Sequence, residues 1–148
     1  MMKKLVLAIA GSLALWQAGA ADLNWQTDVP KALAQAKTEK KLVLLDFTGS
    51  DWCIWCKKLD ADTFEQPQFE AYAKTNLVLV QVDFPNHKVQ PDTLKAANAA
   101  LAKKYGVDGY PTLVALNADG TQVWSNSGYL DGGPPALIAQ LNGVQNHK

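Results

Sequence analysis

Two short runs decide most of what this chain can fold into. Leu42-Val43-Leu44-Leu45-Asp46-Phe47 and Leu77-Val78-Leu79-Val80-Gln81-Val82-Asp83 are apolar at nearly every position, without the alternation of a strand that has one wet face. Runs of this length, rich in Val and Leu, suit strands buried on both faces. Such strands pair in parallel, with helices covering each side of the sheet. The segment between them is long enough for a crossover: 53–60 reads as a helix start, and 67–74 as its continuation or a second helix after a break at Glu65-Gln66-Pro67. With 148 residues, 48% apolar and 19% charged, the chain is too hydrophobic for disorder and sized for one domain.

The flanking segments extend the pattern. A short strand is predicted around 23–25, then a helix over 29–38, capped by Asp28 with Pro30 in its first turn. A polar loop with Pro85, His87 and Pro91 leads into an Ala-rich helix over 92–105, stopped by Gly106. Thr112 to Leu116 and Gln122 to Trp124, joined by Asn117-Ala118-Asp119-Gly120, form the clearest hairpin, and a last helix over 134–141 closes the domain. The expectation is an α/β fold with a mixed sheet: first two core strands parallel, final pair antiparallel, helices on both faces.

The N-terminus speaks to compartment. Lys3 and Lys4 precede the apolar run from Leu5 to Trp16, and Ala18-Gly19-Ala20 supplies the small residues of a cleavage site. The run is shorter than the ~20 residues a membrane-spanning helix needs. The expectation is a signal peptide over 1–20, cleaved after Ala20 or Ala21, and a mature domain over 21–148 in the periplasm. Charge adds an exclusion: all 14 basic residues are Lys, balanced by 14 acids, so the chain lacks both the excess charge and the Arg forks that suit nucleic acid.

The chemistry sits at Trp52-Cys53-Ile54-Trp55-Cys56-Lys57, which holds both cysteines of the chain. A C-x-x-C after a buried strand, at a helix start, places Cys53 where unpaired backbone N–H groups stabilise a thiolate. Cys53 is therefore the candidate nucleophile. Cys56, one helical turn on and more deeply placed, is the candidate resolving thiol that attacks a mixed disulfide at Cys53. Half a zinc site is a competing reading, but the only histidines are His87 and the near-terminal His147. An inert disulfide is another, although so short a loop stabilises little; a pair of buried free thiols is the third.

Leu45-Asp46-Phe47, the C-x-x-C segment and Gly109-Tyr110-Pro111-Thr112 occur in the order in which thioredoxin-fold proteins carry their buried acid, redox motif and cis-proline loop. The resemblance covers about 42–141. More narrowly, Phe47-Thr48-Gly49-Ser50-Asp51-Trp52-Cys53, Asp62-Thr63-Phe64-Glu65 and Gly128-Tyr129-Leu130-Asp131-Gly132-Gly133-Pro134 resemble exported thioredoxin-like thiol:disulfide interchange proteins of bacteria, among them periplasmic reductants and disulfide isomerases.

The resemblance implies a thioredoxin fold, a cis bond before Pro111, and a Tyr110 backbone that offers strand-like hydrogen bonds to a substrate peptide. It also implies that Asp46 is the buried carboxylate exchanging a proton with Cys56, although the chain has one residue more between Asp46 and Cys53 than thioredoxin has. Ile54-Trp55 between the cysteines offers no His to hold a thiolate, which argues against a strong oxidase. Trp55 is expected on a substrate-facing rim, Trp52 on that rim or packed on the fold. Lys57 and Lys58 near the motif are either thiolate-favouring or simply solvated, and the loop over 84–91 either selects partners or only lengthens a connection.

The resulting expectation is a thiol:disulfide oxidoreductase that needs no cofactor or metal and reduces protein or peptide disulfides. It would be a monomer, recycled by a membrane or soluble thiol reductant. Isomerisation by the same pair is the nearest alternative. A binding or holdase module with a dispensable Cys pair, and a metal carrier, are the alternatives from other classes.

Overall fold

The computed structural model describes residues 23–146. The expected signal peptide and His147 lie outside them. Strands β1 (Trp25–Gln26), β2 (Leu42–Thr48), β3 (Leu77–Asp83), β4 (Thr112–Leu116) and β5 (Gln122–Ser127) form a sheet of order β1-β3-β2-β4-β5. β1 and β2 run parallel to β3, while β4 pairs antiparallel with β2 and with β5. Helices α1 (Val29–Glu39), α2 (Ile54–Leu59), α3 (Pro67–Asn76), α4 (Asp92–Lys104) and α5 (Gly133–Gln145) complete the fold.

The two apolar runs are the central strands, and every residue of β2 is buried. Their pleat sorts side chains into two cores. Leu42 and Leu44, with Leu77, Leu79, Leu113 and Ala115, pack against Leu59, Phe64, Phe69, Leu137 and Leu141. On the opposite face Val43, Leu45 and Phe47 join Val78, Val80, Val82, Val114 and Leu116 beneath Val29, Ala32 and Ala36 of α1. Asp46 shares the face of Leu42 and Leu44, so its carboxyl is driven into the core on the side that α2 and its continuation cover.

α1 starts as expected: the Asp28 side chain accepts from the Lys31 N–H at 3.0 Å, with Pro30 in the first turn. Four other elements depart from the sequence reading. β1 lies at Trp25–Gln26 rather than 23–25, where it can pair with Leu79 and Val80. β5 extends three residues past Trp124 because the polar Ser125, Asn126 and Ser127 keep their backbone pairing with β4. α5 runs to Gln145, past the last fully buried leucine at Leu141.

The fourth departure is at the end of α2. The expected helix over 53–60 continues as one wide π-type turn, Asp60–Phe64, in which the Glu65 N–H reaches the Asp60 carbonyl at 2.9 Å. Phe64 is thereby buried against Trp25 and Phe69, with ring centroids 5.1 Å apart in both pairs. One extra residue per turn leaves no signature in a 3.6-residue period.

Register brings the functional segments to one edge. Thr48 pairs with Asp83, Phe47 with Thr112, and Thr112 with Ser127. The ends of β2, β3 and β5 and the start of β4 therefore meet, and the segments leading to Cys53, Phe84, Pro111 and Tyr129 all leave the sheet there. Because Leu44 is fully buried in this sheet, Leu44→Ala should cost about 2–5 kcal/mol of stability in denaturant unfolding.

Candidate active site

The chain leaves β2 in a tight turn. The Gly49 carbonyl accepts from the N–H groups of Trp52 (3.2 Å) and Cys53 (2.8 Å). Ser50 donates its N–H and its hydroxyl to the Asp83 carboxylate at 2.9 and 2.5 Å, tying the turn to the end of β3. The Trp52 indole lies so closely over Gly49 that a Cβ there would collide with the ring. Its Nε1–H donates to the Phe84 carbonyl at 2.8 Å, and its edge meets Tyr110 with centroids 5.9 Å apart.

Cys53 and Cys56 form a disulfide, with Cα atoms 5.3 Å apart. Cys53 is the N-cap of α2, and its Sγ accepts the Cys56 N–H at 3.2 Å. This hydrogen bond favours negative charge on the Cys53 sulfur in the reduced state. The expected order of depth holds narrowly, with Cys53 5% and Cys56 2% exposed. Cys53 is thus less open than its turn position suggests, because the Gly49 bond draws its backbone inward and the disulfide draws its sulfur toward Cys56.

Asp46 is 2% exposed, and its Oδ1 has no hydrogen-bond partner among the described residues. Burial, reinforced by the charges of Asp60 and Asp83, holds its carboxyl well above the usual range. Asp46 lines a pocket of about 550 Å³ together with Asp60, Phe64, Glu65, Glu70 and Gln81. Asp60 is pushed up to about 6, by burial first and then by Glu65 and Asp83. The sequence reading missed Asp60. Its signal was available: an acid four residues after Cys56 lies on the same helix face, and the Asp60 N–H donates to the Cys56 carbonyl.

The Tyr110–Pro111 peptide bond is cis, and Pro111 is buried at the start of β4. Trp55 is half exposed and faces Tyr129 at 5.6 Å between centroids. Tyr129 is itself held there: its hydroxyl donates to Asp62 at 2.7 Å, and Lys58 pairs with the same carboxylate at 2.5 Å while lying 5.1 Å from the Tyr129 ring centroid. Lys58 thus belongs to a bracing network, whereas Lys57 is exposed. His87 sits in the exposed loop with its N–H on Asp51. Among the described residues no group of three or more His, Cys, Asp or Glu is placed to hold a metal ion.

A disulfide whose first cysteine caps a helix, a buried acid on the sheet face that this helix covers, and a cis-proline loop at the same sheet edge define a thioredoxin-type redox site. The chain belongs to the thioredoxin-like domain family, whose model matches residues 29–144. It is 36% identical over 122 residues to the disulfide bond reductase DsbH of Chlamydia pneumoniae, covering 82% of this chain and 72% of that protein. A solved structure of a DsbH oxidoreductase superposes with a TM-score of 0.79 at 31% identity, covering 99% of this chain and 96% of that one. The thiol:disulfide interchange protein DsbD of Cronobacter sakazakii is 34% identical over 117 residues, 78% of this chain but 18% of DsbD. The chain is a thiol:disulfide oxidoreductase with a C-x-x-C redox pair.

The raised carboxyls set a pH signature. Asp46 and Asp60 hold protons in the fold at pH values where the unfolded chain, with carboxyls near 4, has lost them. Their contribution to stability is complete below about pH 4 and is lost as pH rises through the folded values. The oxidised protein should therefore gain stability from pH 7.5 to pH 5, and Asp46→Asn should lose most of that gain. Denaturant midpoints at the two pH values check it, and an unchanged slope in the variant would contradict the raised carboxyl.

Proposed function

We propose that the protein is a periplasmic reductant of protein or peptide disulfides. The observation that carries the chemistry is the Cys53–Cys56 disulfide, with Cys53 capping α2 and the Asp46 carboxyl buried on the sheet face that α2 covers. The reductive direction is supported by the likeness to the disulfide bond reductase DsbH and by Ile54-Trp55, which supplies no cationic partner for a permanently stabilised thiolate. The periplasm is supported by the Lys3-Lys4, apolar-run and Ala18-Gly19-Ala20 pattern of the N-terminus.

In the reduced protein the Cys53 thiolate attacks one sulfur of the client disulfide. A Cys53–client bond forms as the client S–S bond breaks, and the second client sulfur leaves as a thiolate. Cys56 gives its proton to the Asp46 carboxylate and attacks Cys53 Sγ, which releases the first client sulfur and closes the Cys53–Cys56 bond. Two electrons have passed to the client. In this oxidised state burial keeps the proton on Asp46, ready for the Cys56 sulfur when a second dithiol, on a membrane or soluble reductant, reopens the disulfide. Asp60 lines the same pocket, its own carboxyl pushed up to about 6 by burial. Tyr110 and Pro111 receive the client backbone, and Trp52 and Trp55 flank it.

The test is replacement of the nucleophile. Cys53→Ser should abolish reduction of a disulfide-bonded client, at least a thousandfold in rate, while client binding measured by titration survives. Unchanged client handling by Cys53→Ser would favour the binding-module alternative instead.

A further inference from the structure

Four large apolar side chains are exposed among the described residues: Trp52 (42%), Ile54 (76%), Trp55 (54%) and Val89 (101%). Three of them are the neighbours of Cys53. The fourth lies far along the chain, in the loop between β3 and α4, whose backbone is hydrogen-bonded to the turn that precedes Cys53. The Asp51 carboxylate accepts the backbone N–H groups of Asn86 (2.9 Å), His87 (2.7 Å) and Lys88 (2.9 Å), the residue directly before Val89. Lys88 Nζ also reaches Ser50 Oγ at 3.3 Å, and Gln90 Nε2 donates to the Asp83 carbonyl at 3.2 Å. The N–H of Asn86, then those of His87 and Lys88, hold the Asp51 carboxyl down to about 2, so it remains a charged acceptor throughout the working pH range.

This loop is fastened to the turn that carries the nucleophile. Phe84, at its start, stacks on Tyr110 at 5.1 Å and receives the Trp52 Nε1–H, so the loop, the turn and the cis-proline segment share one aromatic joint. Trp55, between the two cysteines, and Tyr129 form a second aromatic wall, braced by Asp62 and Lys58. Asp51 ties down the loop beside the first wall, and Asp62 holds Tyr129 of the second. Exposed apolar side chains cost solvation, and Trp52, Ile54 and Trp55 beside the redox pair, with Val89 on the loop fastened to the same turn, mark a contact surface.

We propose that the loop held by Asp51 is a docking arm, and that with Ile54 and the two aromatic walls it selects client segments whose cysteine is flanked by apolar residues over those flanked by charged or small polar ones. This specificity rests on the oxidoreductase reading above. The occupant follows from continuity with the redox pair: a client sulfur that reaches Cys53 must pass between these walls, so the residues beside it replace the water now on Ile54, Trp55 and Val89. Burying those groups favours apolar neighbours, and burying a client carboxylate there would leave it without a partner. Asp51 is a positioning residue in this scheme, acting through the loop.

Two disulfide-linked fluorogenic peptides of equal length test the arm, one with Val and Leu beside its cysteine and one with Ser and Asp, alongside hydroxyethyl disulfide, which is too small to reach the loop. The wild-type protein should favour the apolar peptide over the polar one by at least tenfold in kcat/KM. Val89→Ser should reduce that ratio at least fivefold, Val89→Leu should preserve it, and Asp51→Asn should reduce it by loosening the loop. A ratio cancels any general loss of active protein, so a merely structural role would not move it. Absence of a preference in the wild type, or an undiminished ratio in Val89→Ser, would overturn the inference. Failure of the wild type to reduce even hydroxyethyl disulfide would instead sink the reductase reading, and the docking arm with it.

Discussion

The structure depends on β2 being buried along its whole length. Seven consecutive positions without water require cover on both faces, so α1 must lie on one side while α2, α3 and α5 close the other. The same constraint creates the chemistry. Asp46 cannot leave a strand whose neighbours are all core residues, and with no partner for its Oδ1 among the described residues its carboxyl is raised well above the usual range by burial. A polar group that destabilises the fold is thus fixed on the sheet face covered by the helix that carries Cys56, which supports its proposed part in proton exchange.

The second constraint is the sheet edge. Parallel pairing of β2 with β3 and antiparallel pairing with β4 place a turn, a loop and a cis-proline segment side by side, although they are separated by dozens of residues in sequence. Carboxylates then fasten these pieces together. Asp83 holds Ser50, Asp51 holds the loop after β3, and Asp62 holds Tyr129. The rigid edge presents aromatic groups on either side of Cys53 with little freedom to lose when a client docks.

Much of this was legible in the sequence because its signals are local. The two apolar runs, the Asp28 cap, the Asn117-to-Gly120 turn and the C-x-x-C motif each declare their structure within a few residues, and the family resemblance supplied the depth of Asp46. What was missed depends on distance or on irregular backbone. The π-type turn that buries Phe64 has no period to read. Asp60 becomes notable only once the pocket it shares with Asp46 exists, and Asp51 is one acid among fourteen until three backbone N–H groups converge on it. Trp52 illustrates both cases. Expected either on a rim or packed on the fold, its indole packs over Gly49 and stays partly exposed.

The central claim is that this site runs in the reducing direction, and the Cys53–Cys56 equilibrium tests it most directly. The purified domain would be equilibrated in defined thiol–disulfide buffers, quenched by alkylation and weighed by mass spectrometry to give its reduction potential. The account expects a value below about −230 mV, toward that of thioredoxin. A value more oxidising than about −180 mV, in the range of isomerases and disulfide donors, would contradict it.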